Sequence, residues 1–143
     1  VHFNSRDNAR TPMQWDDTAN AGFTTGTPWL PANENYHTIN AAAEAQDTDS
    51  VLSYYKQLIR LRKANPVLLS GIYEELLADN EQVYAFSRTE GNRRIVTAVN
   101  FSAEEAALPA GFLKGVRLIG SYTDAPKDTL RPLEAVVYEE EVK

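Results

Sequence analysis

Two arginines near the start of the chain, Arg6 and Arg10, have side chains suited to binding a polar group. A guanidinium presents a rigid fork of N–H donors that fits either a carboxylate or the neighbouring hydroxyl groups of a ligand. Both arginines lie in residues 5–16, a segment with neither helical nor strand periodicity. Its backbone must still be hydrogen-bonded, so we predict local hydrogen bonds from its polar side chains, which are Asn8, Thr11 and Gln14.

Two interpretations of these arginines remain open from the residue types alone. In the first, Arg6 and Arg10 pair with a carboxylate of Asp7, Asp16 or Asp17 and only fix the loop. In the second, a guanidinium donates hydrogen bonds to a ligand that is rich in hydroxyl groups. Composition does not decide between the two.

A longer sequence pattern begins with this segment and continues along almost the whole chain. The pattern closely resembles the oligo-1,6-glucosidase group of the alpha-amylase family of glycoside hydrolases. The resemblance is carried by SRDNARTPMQW at residues 5–15, AGFT at 21–24, PW at 28–29, YYK at 54–56, LRK at 61–63 and LRP at 130–132.

The resemblance implies a fold and a chemistry. Members of the family carry a nucleophilic aspartate, an acid/base glutamate and a second aspartate on strand ends of a (β/α)8 barrel, and no motif in this chain matches those positions. The chain therefore resembles the C-terminal quarter of a retaining, exo-acting α-glucosidase that hydrolyses α-1,6 or α-1,4 bonds of short α-gluco-oligosaccharides. The implied partner is the upstream barrel portion of the same enzyme, without which we expect the chain to be inactive.

The resemblance also implies a role for one arginine. Arg6 matches the arginine with which family members hold the non-reducing terminal glucose, so we expect it to contact substrate. Arg10 is the second candidate for substrate binding, and we expect it to form a structural pair within the loop. No catalytic residue is expected within this chain.

The carboxylates of the same segment do not suit the catalytic pair. Retaining glycoside hydrolysis needs two carboxyl groups about 5 to 5.5 Å apart, one of them a proton donor. Asp16 and Asp17 are adjacent in an extended stretch, so their side chains are expected to point apart. Asp7 follows Arg6, whose positive charge is expected to lower the pKa of that carboxyl below the range useful for an acid.

The composition narrows the function classes. Of the 143 residues, 43% are hydrophobic, which is typical of a globular protein. The formal charge of −6 disfavours binding to nucleic acid or to an anionic membrane. There is no cysteine, and the two histidines, His2 and His37, lack metal-ligand spacing, so neither a metal nor a cofactor is expected. No apolar run approaches the roughly 20 residues of a membrane span. Together with the family resemblance, this leads us to expect a cytoplasmic protein.

One amphipathic helix is predicted at residues 50–64. Val51, Tyr54, Tyr55, Leu58 and Leu61 follow a helical period, and Pro66 supplies a stop. The resemblance implies that this is the last helix of the barrel, with its apolar stripe turned toward barrel strands.

Beyond residue 66 the period becomes strand-like. The segments between the strand-like stretches include short polar turns that suit antiparallel hairpins. The segment at residues 94–101 has apolar residues on both faces, which predicts a central strand. We therefore predict a mainly β fold, with residues 1–68 as the end of a (β/α)8 barrel and residues 69–143 as an antiparallel Greek-key β-sandwich. The predicted strands are residues 72–78, 83–88, 94–101, 115–121 and 135–140.

The long loop at residues 19–40 leaves two further alternatives open. Its large side chains, Phe23, Trp29, Leu30 and Tyr36, either stack on a sugar ring or pack the loop against barrel elements, and we favour packing. For the whole chain, the alternative to part of a glucosidase is a non-catalytic β-sandwich module for carbohydrate binding or assembly.

Overall fold

The computed structural model describes residue 7 and residues 9–142. The chain divides into two compact units, Val1–Gln57 and Leu58–Lys143. The first unit consists mainly of loops and helical turns, and the second contains all the strands of the described part. The long helix contributes residues to both units, because it starts before the division and ends after it.

The first unit contains two 3₁₀ turns and a short helix. The turns are Ala19–Gly22 and Glu34–His37, and helix α1 is Ala41–Gln46. The side chain of Asn40 accepts a hydrogen bond from the backbone N–H of Ala43 (2.8 Å), which caps the start of α1. Apart from the two 3₁₀ turns, residues 9–40 are irregular, which agrees with the predicted loop at residues 19–40, but α1 was not predicted.

Helix α2, Val51–Ala64, confirms the helix predicted at residues 50–64. The hydroxyl of Ser50 accepts from the N–H of Ser53 (3.1 Å) and caps its start. Tyr54, Leu58 and Leu61 are half-buried, whereas Val51 and Tyr55 are exposed, so three of the five residues of the predicted helical period are covered. A second short helix, α3 (Pro66–Ser70), begins at the proline that ends α2.

The second unit contains seven strands in two antiparallel sheets. The strands are β1 (Ile72–Leu76), β2 (Val83–Glu90), β3 (Arg93–Asn100), β4 (Ala106–Ala107), β5 (Val116–Gly120), β6 (Thr129–Leu130) and β7 (Ala135–Glu141). The five-stranded sheet has the order β1-β2-β3-β7-β5, and β4 pairs with β6. The prediction of a mainly β fold with an antiparallel sandwich is therefore confirmed, and all five predicted strands are present.

The hydrophobic core lies between the two sheets. Ala85 of β2, Ala98 of β3 and Val136 of β7 pack with Ala106 and Leu130 of the small sheet, and none of these is more than 1% exposed. On β3, both Val96 and its neighbour Ile95 are buried, although adjacent side chains of a strand point to opposite faces. β3 is therefore a central strand with both faces covered, as predicted.

The C-terminal end of α2 is joined to the large sheet by side-chain hydrogen bonds. Arg93 at the start of β3 donates from Nη2 to Oδ1 of Asn65 (3.0 Å) and from Nε to Glu139 on β7 (2.6 Å). Asn65 in turn donates to the carbonyl of Leu61 within the last turn of α2 (2.9 Å). Helix α3, which follows directly, contacts β2 and β3. These contacts explain why the end of α2 belongs to the same compact unit as the strands.

A buried ion pair lies between Arg131 and Glu134, just before β7. Glu134 is fully buried, and its carboxylate accepts from Nη2 (2.6 Å), Nε (3.0 Å) and the backbone N–H (2.8 Å) of Arg131. The guanidinium also donates to Asp124 (2.7 Å) and lies 4.0 Å from the ring centre of Tyr122. The buried side chain of Asn100 donates to the Arg131 carbonyl (2.9 Å). The motif at residues 130–132 is thus fixed to the end of β3.

Two glycines of the second unit allow a matched test of the close contact between the start of β5 and β7. Gly91 and Gly115 both have positive φ, +61° and +78°. An added Cβ at Gly91 meets nothing within 4 Å, whereas at Gly115 it would overlap the backbone carbonyl of Glu139. We expect Gly91→Ala to cost about 1 to 2 kcal/mol of unfolding free energy, and Gly115→Ala about 1 to 3 kcal/mol more, measured by urea denaturation. Equal losses would mean that β5 and β7 are not in this close contact.

Candidate functional site

Within the predicted site segment, the structure describes Asp7 and residues 9–16. Arg6 and Asn8 lie outside the described residues. Arg10 is exposed, and its backbone N–H donates to the carbonyl of Asp7 (3.0 Å), which forms a turn. Pro12, two residues later, is buried. The segment is therefore an ordered turn that leads into residues 13–16.

Main-chain hydrogen bonds attach this segment to the start of α1. The carbonyl of Gln14 accepts from the N–H of Ala41, and that of Trp15 accepts from the N–H of Ala42, both at 2.9 Å. The first N–H groups of a helix have no partner within the helix, so these two carbonyls satisfy them. Sequence reasoning missed this contact because α1 was not predicted. The signal was present as a helix-capping asparagine, Asn40, before three alanines.

The side chain of Gln14 adds a second attachment. Its amide nitrogen donates to the carbonyl of Ile39 (2.5 Å) and to Oδ1 of Asn35 (3.0 Å). The prediction of local hydrogen bonding is wrong for Gln14, because its side-chain partners lie 21 and 25 residues further along the chain. The backbone carbonyls of Gln14 and Trp15 and the side-chain amide of Gln14 therefore hold the site segment against residues 35–42.

Asp16 fixes the loop and is unsuited to donating a proton. Its Oδ1 accepts from the hydroxyl (2.5 Å) and the N–H (2.9 Å) of Thr18, and these two hydrogen bonds hold the pKa of the Asp16 carboxyl below its usual value. An added Cβ at Gly22 would lie 2.6 Å from the same carboxylate, so a glycine allows this close approach. Asp17 is exposed.

Large apolar side chains are exposed in this segment and in the loop that follows it. Met13 and Phe23 are each 50% exposed, Trp15 is 53% exposed and Trp29 is 81% exposed. A cleft of about 310 Å³ lies between residues 11–14 on one side and residues 39–41 with Glu44 and Leu52 on the other. Such surface suits either a sugar ring or another protein element, so both interpretations of the loop remain open.

Comparison with known proteins places this segment in a family. The model of the alpha-amylase catalytic domain matches residues 1–71. The oligo-1,6-glucosidase of Parageobacillus thermoglucosidasius is 43% identical over 147 aligned residues, which cover 96% of this chain and 26% of that protein. The chain belongs to the alpha-amylase family. The trehalose-6-phosphate hydrolase of Bacillus subtilis (strain 168) is 40% identical over 94% of the chain and 26% of its own length.

Solved structures of alpha-amylase family members agree with the fold. Isomaltulose synthase from Klebsiella sp. LX3 superposes with a TM-score of 0.86, at 45% identity over 94% of this chain and 26% of that one. Trehalose-6-phosphate hydrolase from Bacillus licheniformis also gives 0.86, at 37% identity over 97% of this chain and 27% of that one. The chain thus spans about a quarter of the length of its alpha-amylase family relatives. These relatives share the fold, but their named reactions differ.

Neither a metal-binding cluster nor a membrane-spanning helix occurs among the described residues. No three side chains among His, Asp and Glu come close enough there to hold a metal ion. No helix of the described part is long and apolar enough to cross a membrane.

Proposed function

We propose that this chain is the C-terminal part of a retaining, exo-acting α-glucosidase that hydrolyses α-1,6 or α-1,4 bonds of short α-gluco-oligosaccharides. The observation that carries the proposal is the 43% identity to a protein named oligo-1,6-glucosidase, which extends over 96% of the chain. The segment at residues 5–16 lies within the match of the alpha-amylase catalytic-domain model, residues 1–71. Its attachment to α1 supports a role that needs a fixed geometry, because substrate positioning tolerates little displacement.

Within this function, Arg6 is the residue proposed to contact substrate. Its guanidinium donates to neighbouring hydroxyls of the non-reducing terminal glucose, which leaves the first glycosidic bond to be cut. Arg10 is the second candidate. Its exposed position at a turn allows contact with either a substrate or another element of the protein.

The catalytic carboxylates are proposed to come from an upstream (β/α)8 barrel. We propose that residues 1–68 complete that barrel and that residues 69–143 form the sandwich domain. The match of the catalytic-domain model to residues 1–71 supports this division. The assembled enzyme is proposed to act in the cytoplasm without a cofactor, and no interaction with nucleic acid or membrane is included in its function.

The proposal is tested by comparing two proteins. One is the 143-residue chain, and the other is the protein expressed from DNA extended upstream of Val1. With an aryl α-glucoside, and then with isomaltose, maltose and sucrose, we expect no turnover by the chain alone because the two catalytic carboxyl groups are missing. The extended protein is expected to release glucose. Turnover by the repurified short chain, or an extended protein that binds oligosaccharide without turnover, would contradict the proposal.

A further inference from the structure

The large sheet has two faces, and one of them forms the core of the sandwich. Ala85 of β2 and Ala98 of β3 are buried on that inner face against the small sheet. Since neighbouring side chains of a strand point to opposite sides, the residues between the core positions lie on the other side, which we call the outer face. On the three central strands, the outer face consists of Tyr84, Phe86 and Arg88, of Ile95, Thr97 and Val99, and of Ala135, Val137 and Glu139.

The outer face is more apolar than a sheet surface that meets water. In antiparallel sheets with one solvated face, the outward positions are polar and alternate with apolar core positions. Apart from Arg88, Thr97 and Glu139, every outer position on these three strands carries an aliphatic or aromatic side chain. The composition of the strands is therefore typical of a sheet that is covered on both faces.

One end of the outer face is covered within the chain itself. Arg88 donates from Nη1 to the carbonyl of Gly71, the residue directly after α3 (3.1 Å). Arg93 donates to Asn65, the residue directly after α2 (3.0 Å). Ile95, two residues further along β3, is 1% exposed. Helices α2 and α3 thus lie at this end of the outer face.

An aromatic cluster lies toward the opposite end of the outer face. Tyr73 of the edge strand β1 and Tyr84 of β2 are 46% and 42% exposed, and their hydroxyls lie 3.0 Å apart. The ring of Phe86 has its centre 5.7 Å from the centres of both tyrosine rings. The three rings form one aromatic surface that remains open to solvent in the described part of the chain.

Two more apolar side chains are exposed beyond this cluster. Phe101, two residues after Val99 on the same side of the chain, is 70% exposed. Leu133 is 66% exposed, and its N–H donates to the carbonyl of Ser102 (3.1 Å), so it lies close to Phe101. Exposed apolar patches of this kind mark interaction surfaces in soluble proteins.

The part of the protein that lies outside this chain indicates what covers the patch. The chain spans about a quarter of the length of its alpha-amylase family relatives, so about three quarters of such a protein is absent here. Helices α2 and α3, which lie at the other end of the outer face, are within the match of the catalytic-domain model to residues 1–71. An element that continues this cover along the outer face is therefore expected from the remainder of the same catalytic domain.

We propose that the exposed end of the outer face docks against the catalytic domain encoded upstream of Val1. The identity of this partner rests on the proposed function, whereas the exposed apolar surface does not. The contact makes the sandwich a structural part of the assembled enzyme, because the centre of an apolar interface excludes water. The docking residues are Tyr73, Tyr84, Phe86, Phe101 and Leu133.

The test is hydroxyl-radical footprinting, measured for each residue by mass spectrometry, on the 143-residue chain and on the protein extended upstream of Val1. Phe101 and Leu133 should be oxidised at least about fivefold more slowly in the extended protein, because interface centres are desolvated. Ile72 is the matched control. It is 79% exposed but points away from the outer face, since it precedes Tyr73 on β1, so its oxidation rate should be equal in both proteins.

A substitution in the extended protein tests the same contact in a second way. Phe101→Asp should raise the oxidation rate of Leu133 at least about twofold, because a carboxylate cannot be buried there without opening the interface. Ile72→Asp, the matched control variant, should leave that rate unchanged. Circular dichroism of both variants checks that the sandwich stays folded.

Several outcomes would overturn the proposal. Phe101 and Leu133 could be oxidised equally fast in both proteins, or Phe101→Asp could leave the rate of Leu133 unchanged. Protection that increases with protein concentration would assign the patch to a second copy, and protection that requires isomaltose would assign it to a saccharide. Since no turnover is measured, an extended protein that protects Phe101 but hydrolyses no glucoside contradicts only the proposed function.

Discussion

In the complete enzyme, Arg6→Lys is expected to lower kcat/KM about 10- to 1000-fold, equivalent to about 1.4 to 4 kcal/mol of transition-state stabilisation. Lysine keeps the positive charge but loses the planar fork that contacts two neighbouring hydroxyls at once. Because the charge is retained and the loop is held by Gln14 and Trp15, the melting temperature should change little. Steady-state kinetics with isomaltose and a thermal melt of the same preparation measure both quantities.

Arg10→Lys is the matched control, since Arg10 lies in the same segment but is exposed at a turn. If Arg6 makes the substrate contact, we expect kcat/KM of Arg10→Lys to stay close to that of the unsubstituted enzyme. Because Arg10 is the second candidate, a loss of kcat/KM in Arg10→Lys without one in Arg6→Lys would assign the contact to Arg10 instead. If instead Arg6→Lys lowers the melting temperature while the kinetics of the folded fraction stay unchanged, Arg6 is an ion-pair anchor of the loop and the substrate role is rejected.

The strands of the second unit were predictable because their signal is local. Alternating residues and polar turns place the five strands of the large sheet within two residues of their observed bounds. The two-residue strands β4 and β6 were missed, since two residues cannot show a period. They form only because Ala106 and Leu130 meet the core of the large sheet, which is a long-range contact.

Less of the candidate site than of the sandwich was predictable from the sequence. The resemblance identifies Arg6, but the residues alone left both ligand contact and ion pairing open. The attachment of Gln14 and Trp15 to α1 depends on a chain reversal through residues 19–40, and no periodic pattern marks that path. The burial of Glu134 in the sandwich could not be predicted from the sequence either. Carboxylates are so rarely fully buried that nothing in the sequence marks this one.

Replacing Arg131 by methionine is expected to lower the stability of the chain by about 3 to 5 kcal/mol, because the Glu134 carboxylate is then buried without its partner. Methionine retains most of the side-chain length, so the loss reports the missing ion pair more than a cavity. For a chain of this size, the melting temperature should fall by roughly 10 °C. Asp124→Asn is the control, since Asp124 is the exposed partner of the same guanidinium, and a small change is expected there.

The pH dependence distinguishes this explanation from a simple loss of packing. Burial alone raises the pKa of Glu134, but hydrogen bonds from Arg131 and its charge outweigh burial and hold that pKa below its ordinary value of 4.5. In the unsubstituted chain, the ion pair therefore stabilises the fold above about pH 4.5 and this contribution is lost as the pH falls further. In Arg131→Met the charge and both side-chain hydrogen bonds are lost, and only the backbone N–H of residue 131 still donates to Glu134. We therefore expect burial to raise the folded-state pKa of Glu134 above its unfolded value, so that acid relieves the buried charge. The stability difference between the two proteins should be largest at neutral pH and narrow toward pH 4, measured by urea denaturation across that range. A difference that stays constant with pH would mean that Glu134 is not buried as a charged group beside Arg131.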